Sequence, residues 1–407
     1  MTKPIQRCGW IPGIRRRRLS GRGERGLVWA IAVLGMASVQ AHAQTEVVLH
    51  NFTGRTGYEA GAGVIPDPAG NLYGTAENGG QAGDGVVYKL DRDGRYSVLH
   101  SFTGRNLGRT PIGGVTRDPA GDLYGTTYYG GPDNTGVVYK LDTAGNYTVL
   151  YGFAGELNGS HPQAGVIRDS AGNLYGTTRG GGVPGTRCPT STFGCGVVYK
   201  VDTTGQETVL YKFTGGADGG NPAAGVVRDS AGNLYGTTVY GGSANAGVVY
   251  KLDTAGNQTA IYTWTGGADG LYPNAVIRDP EGNLYGTTVF GGAADAGVVY
   301  KLDAAGNYTA LYSFTGGSDG AQPVTGVIRD SAGNFYGTTT NDGATFGAVV
   351  YRLDTTGNYT VLCSFTGGAD GGTPRAGVIR DSAGNLYGTN TVGGKNGEGV
   401  VYKIEPQ

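Results

Sequence analysis

The sequence predicts an all-β protein, a seven-bladed β-propeller of four-stranded blades. Three observations predict it. First, the tyrosine of an "[LF]YGT" stretch recurs at Tyr73, Tyr124, Tyr175, Tyr235, Tyr285, Tyr336 and Tyr387, at spacings of 51, 51, 60, 50, 51 and 51 residues. Second, each unit holds four short stretches rich in Val, Ile, Tyr and Thr, the residues that favour strands, and neither a 3.6-residue periodicity nor a helix-capping pattern. Third, the chain enters the repeat with a fourth-strand segment and leaves it with a third-strand segment. Repeats of four strands at 40–50 residues are the sequence mark of propeller blades. Eighty glycines in 407 residues serve as turns between the strands, since they follow no three-residue period.

Residues 1–43 differ in character from the rest. A basic lead with Arg15, Arg16, Arg17 and Arg18 precedes the apolar run "GLVWAIAVLGMASV", Gly26 to Val39, and then Ala41-His42-Ala43. A charged lead, a short apolar run and a small-x-small site read as a secretory signal cut between Ala43 and Gln44. The run is shorter than the roughly 20 residues of a membrane span. The arginine run loosely resembles a twin-arginine signal without the rest of that pattern. No cysteine stands at the cut, so no lipid anchor is expected. Residues 44–407 are then a secreted or periplasmic chain of 23 basic and 31 acidic residues, net −8. An acidic chain without a basic cluster excludes nucleic acid as a partner. No metal, cofactor or membrane span is expected in it, and it is expected to act as a monomer.

The segment Val47 to Gly54, "VVLHNFTG", is expected to complete the last blade, which otherwise ends at "GVVYKIEPQ" without an outer strand. Pairing it there closes the ring and covers an orphaned edge. Within a unit, such as Ala224 to Gly266, "AGVVRD", "NLYGTT", "GVVYKLD" and "NQTAIYTWTG" are the four strands from the axis outward. Two D-x-x-G-N turns join strands one to two and three to four, as at Asp169–Asn173 and Asp142–Asn146. An Asp in first place accepts backbone N–H groups inside the turn, and Gly in fourth place takes a left-handed conformation. A helical calcium loop needs acids at alternate positions and a Glu at the twelfth, which are missing here. The stretch is a hairpin device. The longer 60-residue unit holds "CPTSTFGC", whose Cys188 and Cys195 are expected to pair in an oxidising compartment, a closure worth about 2.5 kcal/mol. Cys363 stands where other units have Tyr and reads as a buried free thiol.

Other recurrent residues read as structure. Arg117, Arg168, Arg228, Arg278, Arg329 and Arg380 suggest an Arg–Asp pairing between blades rather than a channel lining. Lys89, Lys140, Lys200, Lys251, Lys301 and Lys403, with Arg352, suggest a solvated rim. N-x-T triplets such as Asn307-Tyr308-Thr309 fall where a turn meets a strand. His50 and His100 share the place of Tyr151 and Tyr211, and His161 stands alone in a loop. No histidine pair has metal spacing, and there is no G-x-S-x-G elbow.

The turns put conserved-looking hairpins on one face of the ring and leave the loops between strands two and three, and between blades, on the other. Nearly all variation between units lies in this second set, and variable loops on a rigid scaffold are where binding resides. That face carries Tyr129, Tyr240 and Phe290 at one equivalent position, with Tyr128 adjacent, and Asp218, Asp269, Asp319 and Asp370 in the inter-blade loops. Aromatic platforms beside carboxylates suit a sugar.

The repeat "GVIRDSAGNLYGTTxxGGxxxxGVVYKLDxxGNxTVLYSFTGG" resembles the Gloeo/Verruco (GloVer) tandem repeat of exported bacterial proteins, over all of residues 44–407. The resemblance implies an exported bacterial protein. It brings no established activity and no catalytic residues. The family's anchor segment has no counterpart here, where the repeats are followed by "KIEPQ". More distantly, "LYGTT…GVVYKLDTAGNYTVLY" is similar to repeats of pyrroloquinoline-quinone propellers, but only Trp264 lies in the repeats, without their tryptophan docking. The near-identity of the units favours a non-enzymatic module binding a glycan or an envelope or extracellular protein. A propeller enzyme of lyase, lactonase or quinoprotein type, with its site at the channel mouth, is the alternative. A purely structural surface protein is the third reading.

Overall fold

The structure, a computed structural model, describes residues 6–7, 44–155, 157–183, 188, 194–340 and 348–406. Apart from Gln6–Arg7, the expected export signal lies outside them. Seven antiparallel sheets follow one another along the chain, and no α-helix occurs among the described residues. Blade 3 is representative: Ile167–Arg168, Leu174–Thr178, Val197–Val201 and Glu207–Lys212, each paired with the next. The outer strand of every blade skips one residue against its partner, at Leu49, Leu99, Leu150, Leu210, Ile261, Leu311 and Leu362. Such a bulge turns two successive side chains to the same packed side, so the outer strands need not alternate.

Thr45–Asn51 pairs with Val400–Glu405, Val48 opposite Tyr402, and supplies the outer strand of blade 7 beside Leu386–Asn390 and Ile379–Arg380. The expected closure is therefore present. The two-residue strand Gln6–Arg7 pairs on the far side of Thr45 and Glu46.

Side chains repeated in the sequence become rings in space. The aromatic at the end of each outer strand is buried and meets the third-strand tyrosine of the next blade near edge-on: Phe52 on Tyr88 at 5.5 Å, Phe102 on Tyr139 at 5.3 Å, Phe153 on Tyr199 at 5.0 Å, Phe213 on Tyr250 at 5.1 Å, Trp264 on Tyr300 at 4.6 Å, Phe314 on Tyr351 at 5.4 Å and Phe365 on Tyr402 at 4.8 Å. Offset and edge-on geometries suit the ring quadrupole. Nearer the axis, the first threonine of each "YGT" donates to a carbonyl of the next blade: Thr75 to Gly113, Thr126 to Ala164, Thr177 to Ala224, Thr237 to Asn274, Thr287 to Thr325, Thr338 to Ala376 and Thr389 to Ala62, at 2.6–3.1 Å. The last bond crosses from blade 7 to blade 1, so the circle is complete.

The recurrent arginines do lie between blades, but they face rings rather than carboxylates. Arg228 sits 5.6 Å over Tyr175 of the preceding blade, and the Tyr175 hydroxyl donates to Asp169 at 3.0 Å. The same arrangement holds for Arg117, Arg168, Arg278, Arg329 and Arg380 over Tyr73, Tyr124, Tyr235, Tyr285 and Tyr336. None of these arginines is in an ion pair among the described residues. The pairing is cation–π, relayed to the aspartate through the tyrosine, because the phenol fills the gap between blades. Lysines 89, 140, 251 and 301 are half-buried over the other side of the same rings, at 5.7–6.0 Å, rather than on an outer rim. Blade 1 carries Pro66 where the others have Arg, so Tyr387 lacks this partner at the seam.

The D-x-x-G-N turns match their expected design. Asp229 Oδ1 accepts the Asn233 N–H at 2.8 Å, Oδ2 accepts the Asn233 amide at 2.8 Å and the Tyr235 hydroxyl at 3.1 Å, and Gly232 has φ +92°. Partial burial pushes this carboxyl up, but the bonds from Asn233 and Tyr235 and the nearby Arg278 outweigh it and hold it below the usual range. Asp67, Asp118, Asp169, Asp279, Asp330 and Asp381 are lowered likewise. A carboxyl lowered on folding stabilises above its unfolded value, near 3.9, and that contribution fades as pH falls through the folded value. Seven such groups predict steep acid unfolding below about pH 4. Urea titrations from pH 6 to pH 2 check it, and Asp229→Asn is expected to flatten the profile.

The cysteines differ in outcome from one another. Cys188 and Cys195 are bonded, with Cα atoms 5.3 Å apart, and a Cβ at Gly220 would lie 2.6 Å from the Cys188 sulfur, so the bridge packs on the next inter-blade loop. Cys363 is not the expected free thiol. It is buried and disulfide-bonded. The tyrosines at its repeat position, Tyr211, Tyr262 and Tyr312, reach loop aspartates through their hydroxyls. A thiol is too short for that bond and is joined to sulfur instead.

Candidate binding face

The second threonine of "YGTT" positions the variable loops. Thr127, Thr238 and Thr288 donate to the carbonyls of Tyr129, Tyr240 and Phe290 at 2.8–2.9 Å. The backbone of each aromatic pairs with the preceding inter-blade loop: Tyr129 with Arg109, Tyr240 with Gly220 and Phe290 with Leu271. A strand end, a threonine and a short ladder thus fix each of the three residues at the same place in its blade. All three are half-buried.

The structure gathers them into two clusters. Tyr128 and Tyr129 meet at 4.7 Å, and His161 joins them at 4.7 Å and 5.5 Å. Arg109 lies 4.7 Å over the Tyr129 ring. Tyr240 meets Tyr272 at 5.4 Å, and Tyr272 meets Phe290 at 6.2 Å. The Arg179 N–H donates to the His161 carbonyl at 3.2 Å, and its charge acts on both His161 and Tyr240. Burial, aided by Arg179, pushes His161 below the ordinary histidine range, so the imidazole is neutral at pH 7 and stacks as an aromatic. An arc of aromatic edges and two guanidinium groups therefore spans blades 2 to 5.

Asp218, Asp269, Asp319 and Asp370 are brought to the same face, each committed to its own loop. Asp218 takes the Tyr211 hydroxyl at 3.1 Å and the Thr214 N–H at 2.8 Å, and Asp269 and Asp319 repeat this with Tyr262 and Thr265 and with Tyr312 and Thr315. Asp370 holds Thr366 alone, through its N–H at 2.7 Å and its hydroxyl at 2.6 Å. Across the mouth, at blades 1 and 7, Glu77 is pushed up by burial, offset by Arg375 and reinforced by Glu59. Asn78, in the place of Tyr129, donates to Glu59 at 2.7 Å.

His161 and Tyr272 were not read as site residues, nor was the position they share. Glu59, Thr110, His161, Asn221, Tyr272, Gln322 and Thr373 occupy one place in the seven loops, and every one has a positive φ, from 53° to 59°. The available signal was a residue differing from unit to unit directly before a proline, as in His161-Pro162 and Gln322-Pro323.

The fold and this face define a seven-bladed β-propeller repeat protein with a constant hairpin face and a variable loop face. The chain belongs to the Gloeobacter/Verrucomicrobia repeat family, which matches at residues 20–186 and again at 183–402. No curated protein sequence matches it. Among solved structures it is similar to a gluconolactonase from Xanthomonas campestris, at 14% identity over 90% of each chain with a TM-score of 0.43. A putative gluconolactonase is similar at 12% identity over 88% of this chain and 91% of that one, TM-score 0.43. A luciferin-regenerating enzyme follows at 12%, over 86% and 92%, TM-score 0.42. These likenesses concern the propeller architecture. No helix among the described residues is long and apolar enough to cross a membrane.

Proposed function

We propose that the protein is an exported, non-enzymatic binding module that holds a glycan on its variable loop face. One observation carries the reading. Tyr129, Tyr240 and Phe290 stand at one repeat position, half-buried, and neighbouring rings extend them into two clusters with guanidinium groups alongside. Flat apolar surface flanked by fixed donors is what stacking on a sugar ring requires. Export rests on the character of residues 1–43, and the Cys188–Cys195 bridge is in keeping with an oxidising compartment. The loop aspartates, engaged in their own turns, serve to shape the face, and the rings make the contact.

The test is binding of residues 44–407 to a broad glycan array, with and without calcium. A specific glycan is expected, with Tyr129→Ala and Tyr240→Ala each lowering affinity about tenfold, or about 1.4 kcal/mol. Calcium is expected to make no difference, because the D-x-x-G-N carboxylates are already bonded. A glycan bound equally by both variants would move the site off this arc. Binding to no glycan would end the reading.

A further inference from the structure

We infer that six side chains held in left-handed backbone, those of Glu59, Thr110, His161, Tyr272, Gln322 and Thr373, ring the variable face and read the end of a saccharide chain, while Asn221, at the seventh place, is fully buried and donates to the Arg179 carbonyl. The inference rests on the glycan reading above and names the part of the face that gives it selectivity.

Glycine fills most left-handed positions in this chain, at no steric cost. Three of the exceptions explain themselves. Asn134, Asn245 and Asp295 accept the N–H groups of Gly130, Gly241 and Gly291 through their own side chains at 2.8–3.0 Å, as Asn and Asp do in turns. Glu59, Thr110, His161, Asn221, Tyr272, Gln322 and Thr373 are a different case. The backbone of four of them is held from both sides. The N–H of His161 donates to Thr135 of blade 2 at 2.7 Å, and its carbonyl accepts from Arg179 of blade 3 at 3.2 Å. Thr110, Asn221 and Gln322 are stitched in the same way, to Asp84 and Tyr128, Cys195 and Val239, and Ala296 and Thr340. These bonds account for the conformation. They do not account for the side chains, because glycine would make both bonds without strain. Two of the seven are threonines, and a β-branched residue in this region is a genuine outlier. Strain of this kind persists where the side chain is wanted for something else.

The chemistry of the ring points to polyhydroxylated ligand. All seven residues end in hydrogen-bonding groups, and none is aliphatic. Among the described residues the side chains of Thr110, Gln322 and Thr373 make no hydrogen bond of their own. Charge is balanced across the mouth, with Glu59 and Glu77 near Arg375 on one side and Arg179 beside a neutral His161 on the other. Tyr272 and His161 belong at once to the ring and to the aromatic clusters. The ring lies on the variable face at the ends of the second strands, where the carbonyls of Glu59, Thr110, His161, Asn221, Gln322 and Thr373 accept from the N–H groups of Glu77, Tyr128, Arg179, Val239, Thr340 and Thr391. A circle around an axis receives the end of a chain, whereas the interior of a chain needs an open groove.

The experiment replaces Thr110, Gln322 and Thr373 with glycine, singly and together, in residues 44–407. Each variant is measured for thermal stability and for binding to hexasaccharides of β-1,4-glucan, β-1,3-glucan and β-1,4-xylan and to their parent polymers. Each threonine variant is expected to melt about 2 °C higher, and the triple variant to lose at least about tenfold in affinity for the saccharide the wild type binds. Affinity per chain is expected to be the same for hexasaccharide and polymer. If the wild type binds and the triple variant binds as tightly, the ring has no part in recognition while the glycan reading stands. Affinity that grows with chain length would overturn end recognition. Threonine variants that melt lower would show that the side chains serve the fold. A wild type that binds no saccharide would remove the glycan reading, and this inference with it.

Discussion

Removal of residues 44–53 is expected to abolish cooperative folding of the propeller at physiological temperature. Among the described residues the strand Thr45–Asn51 is the outer partner of Val400–Glu405, and without it an apolar edge, "VVYKIE", lies open. Open apolar edges recruit other chains, so oligomers are expected on size exclusion. The segment also joins two blades. Phe52 is fully buried against Tyr88 and Tyr96 of blade 1, its N–H donates to Gly399 of blade 7 at 3.0 Å, and its carbonyl accepts from the Asn396 amide at 2.8 Å. Phe52→Ala alone is expected to cost about 3–5 kcal/mol by urea denaturation, the usual range for emptying a buried phenylalanine site. A synthetic peptide of residues 45–53 added to the truncated chain is expected to restore the transition. A truncated chain that melts like the whole one would mean that the ring does not depend on this closure.

The seam bears this load because it lacks one contact that the other six blade boundaries have. The buried aromatic contact and the threonine bond both cross it, as Phe52 on Tyr88 and Thr389 to Ala62. The arginine does not. Pro66 takes its place, and burial, with the bond to Asp381 and a lesser push from Glu405, raises the Tyr387 hydroxyl to about 12. Strand exchange makes up what the missing cation–π contact leaves out. The same asymmetry marks the channel mouth, where Glu59, Glu77 and Asn78 of blade 1 stand in the places that blades 2 to 5 give to rings and guanidinium groups. The repeat is nearly uniform where it holds blades together and uneven where a ligand is expected.

The architecture was legible because period, turn chemistry and phase all point the same way. A tyrosine every 50 or 51 residues, with one gap of 60, an Asp-x-x-Gly turn at two places per unit and a repeat phase that is one strand out of step admit few alternatives. The aromatic positions on the variable face were legible too, since Tyr129, Tyr240 and Phe290 align by simple counting. What sequence could not show is direction. "YGT" reads as a strand, but nothing in the letters says that its threonine reaches the next blade while its glycine lies beneath a tyrosine. Arg228 and Asp229 are neighbours in sequence, yet the arginine answers to Tyr175 of another blade. The left-handed ring was hidden because Thr110 and Gln322 are not residues that announce a positive φ. Cys363 reads as free in the sequence because the remaining cysteine, Cys8, falls in the segment expected to be cut away.

The glycine beneath the tyrosine carries the second large effect. Tyr250 is fully buried, and a Cβ placed on Gly236 would lie 2.5 Å from its hydroxyl and 2.7 Å from the ring carbon that bears it. Both residues belong to a packed pair of central strands, so neither can move aside cheaply. Gly236→Ala is therefore expected to cost about 3 kcal/mol, at the upper end for overpacking. Among the described residues the hydroxyl itself has no hydrogen-bond partner, and the same is true of Tyr88, Tyr139, Tyr199, Tyr300, Tyr351 and Tyr402. Burying a hydroxyl unpaired is unfavourable by about 1–3 kcal/mol. Tyr250→Phe should then raise stability by about 1 kcal/mol, against the usual sign for a buried substitution. In the double variant the phenyl ring leaves room that the phenol denied, and part of the alanine's cost should be recovered as a favourable coupling of about 1 kcal/mol between two touching sites. Urea denaturation of the four proteins measures all three quantities. A Tyr250→Phe protein less stable than the parent would mean that each hydroxyl has a bound water, and that the tyrosine is kept for a polar bond rather than for its shape.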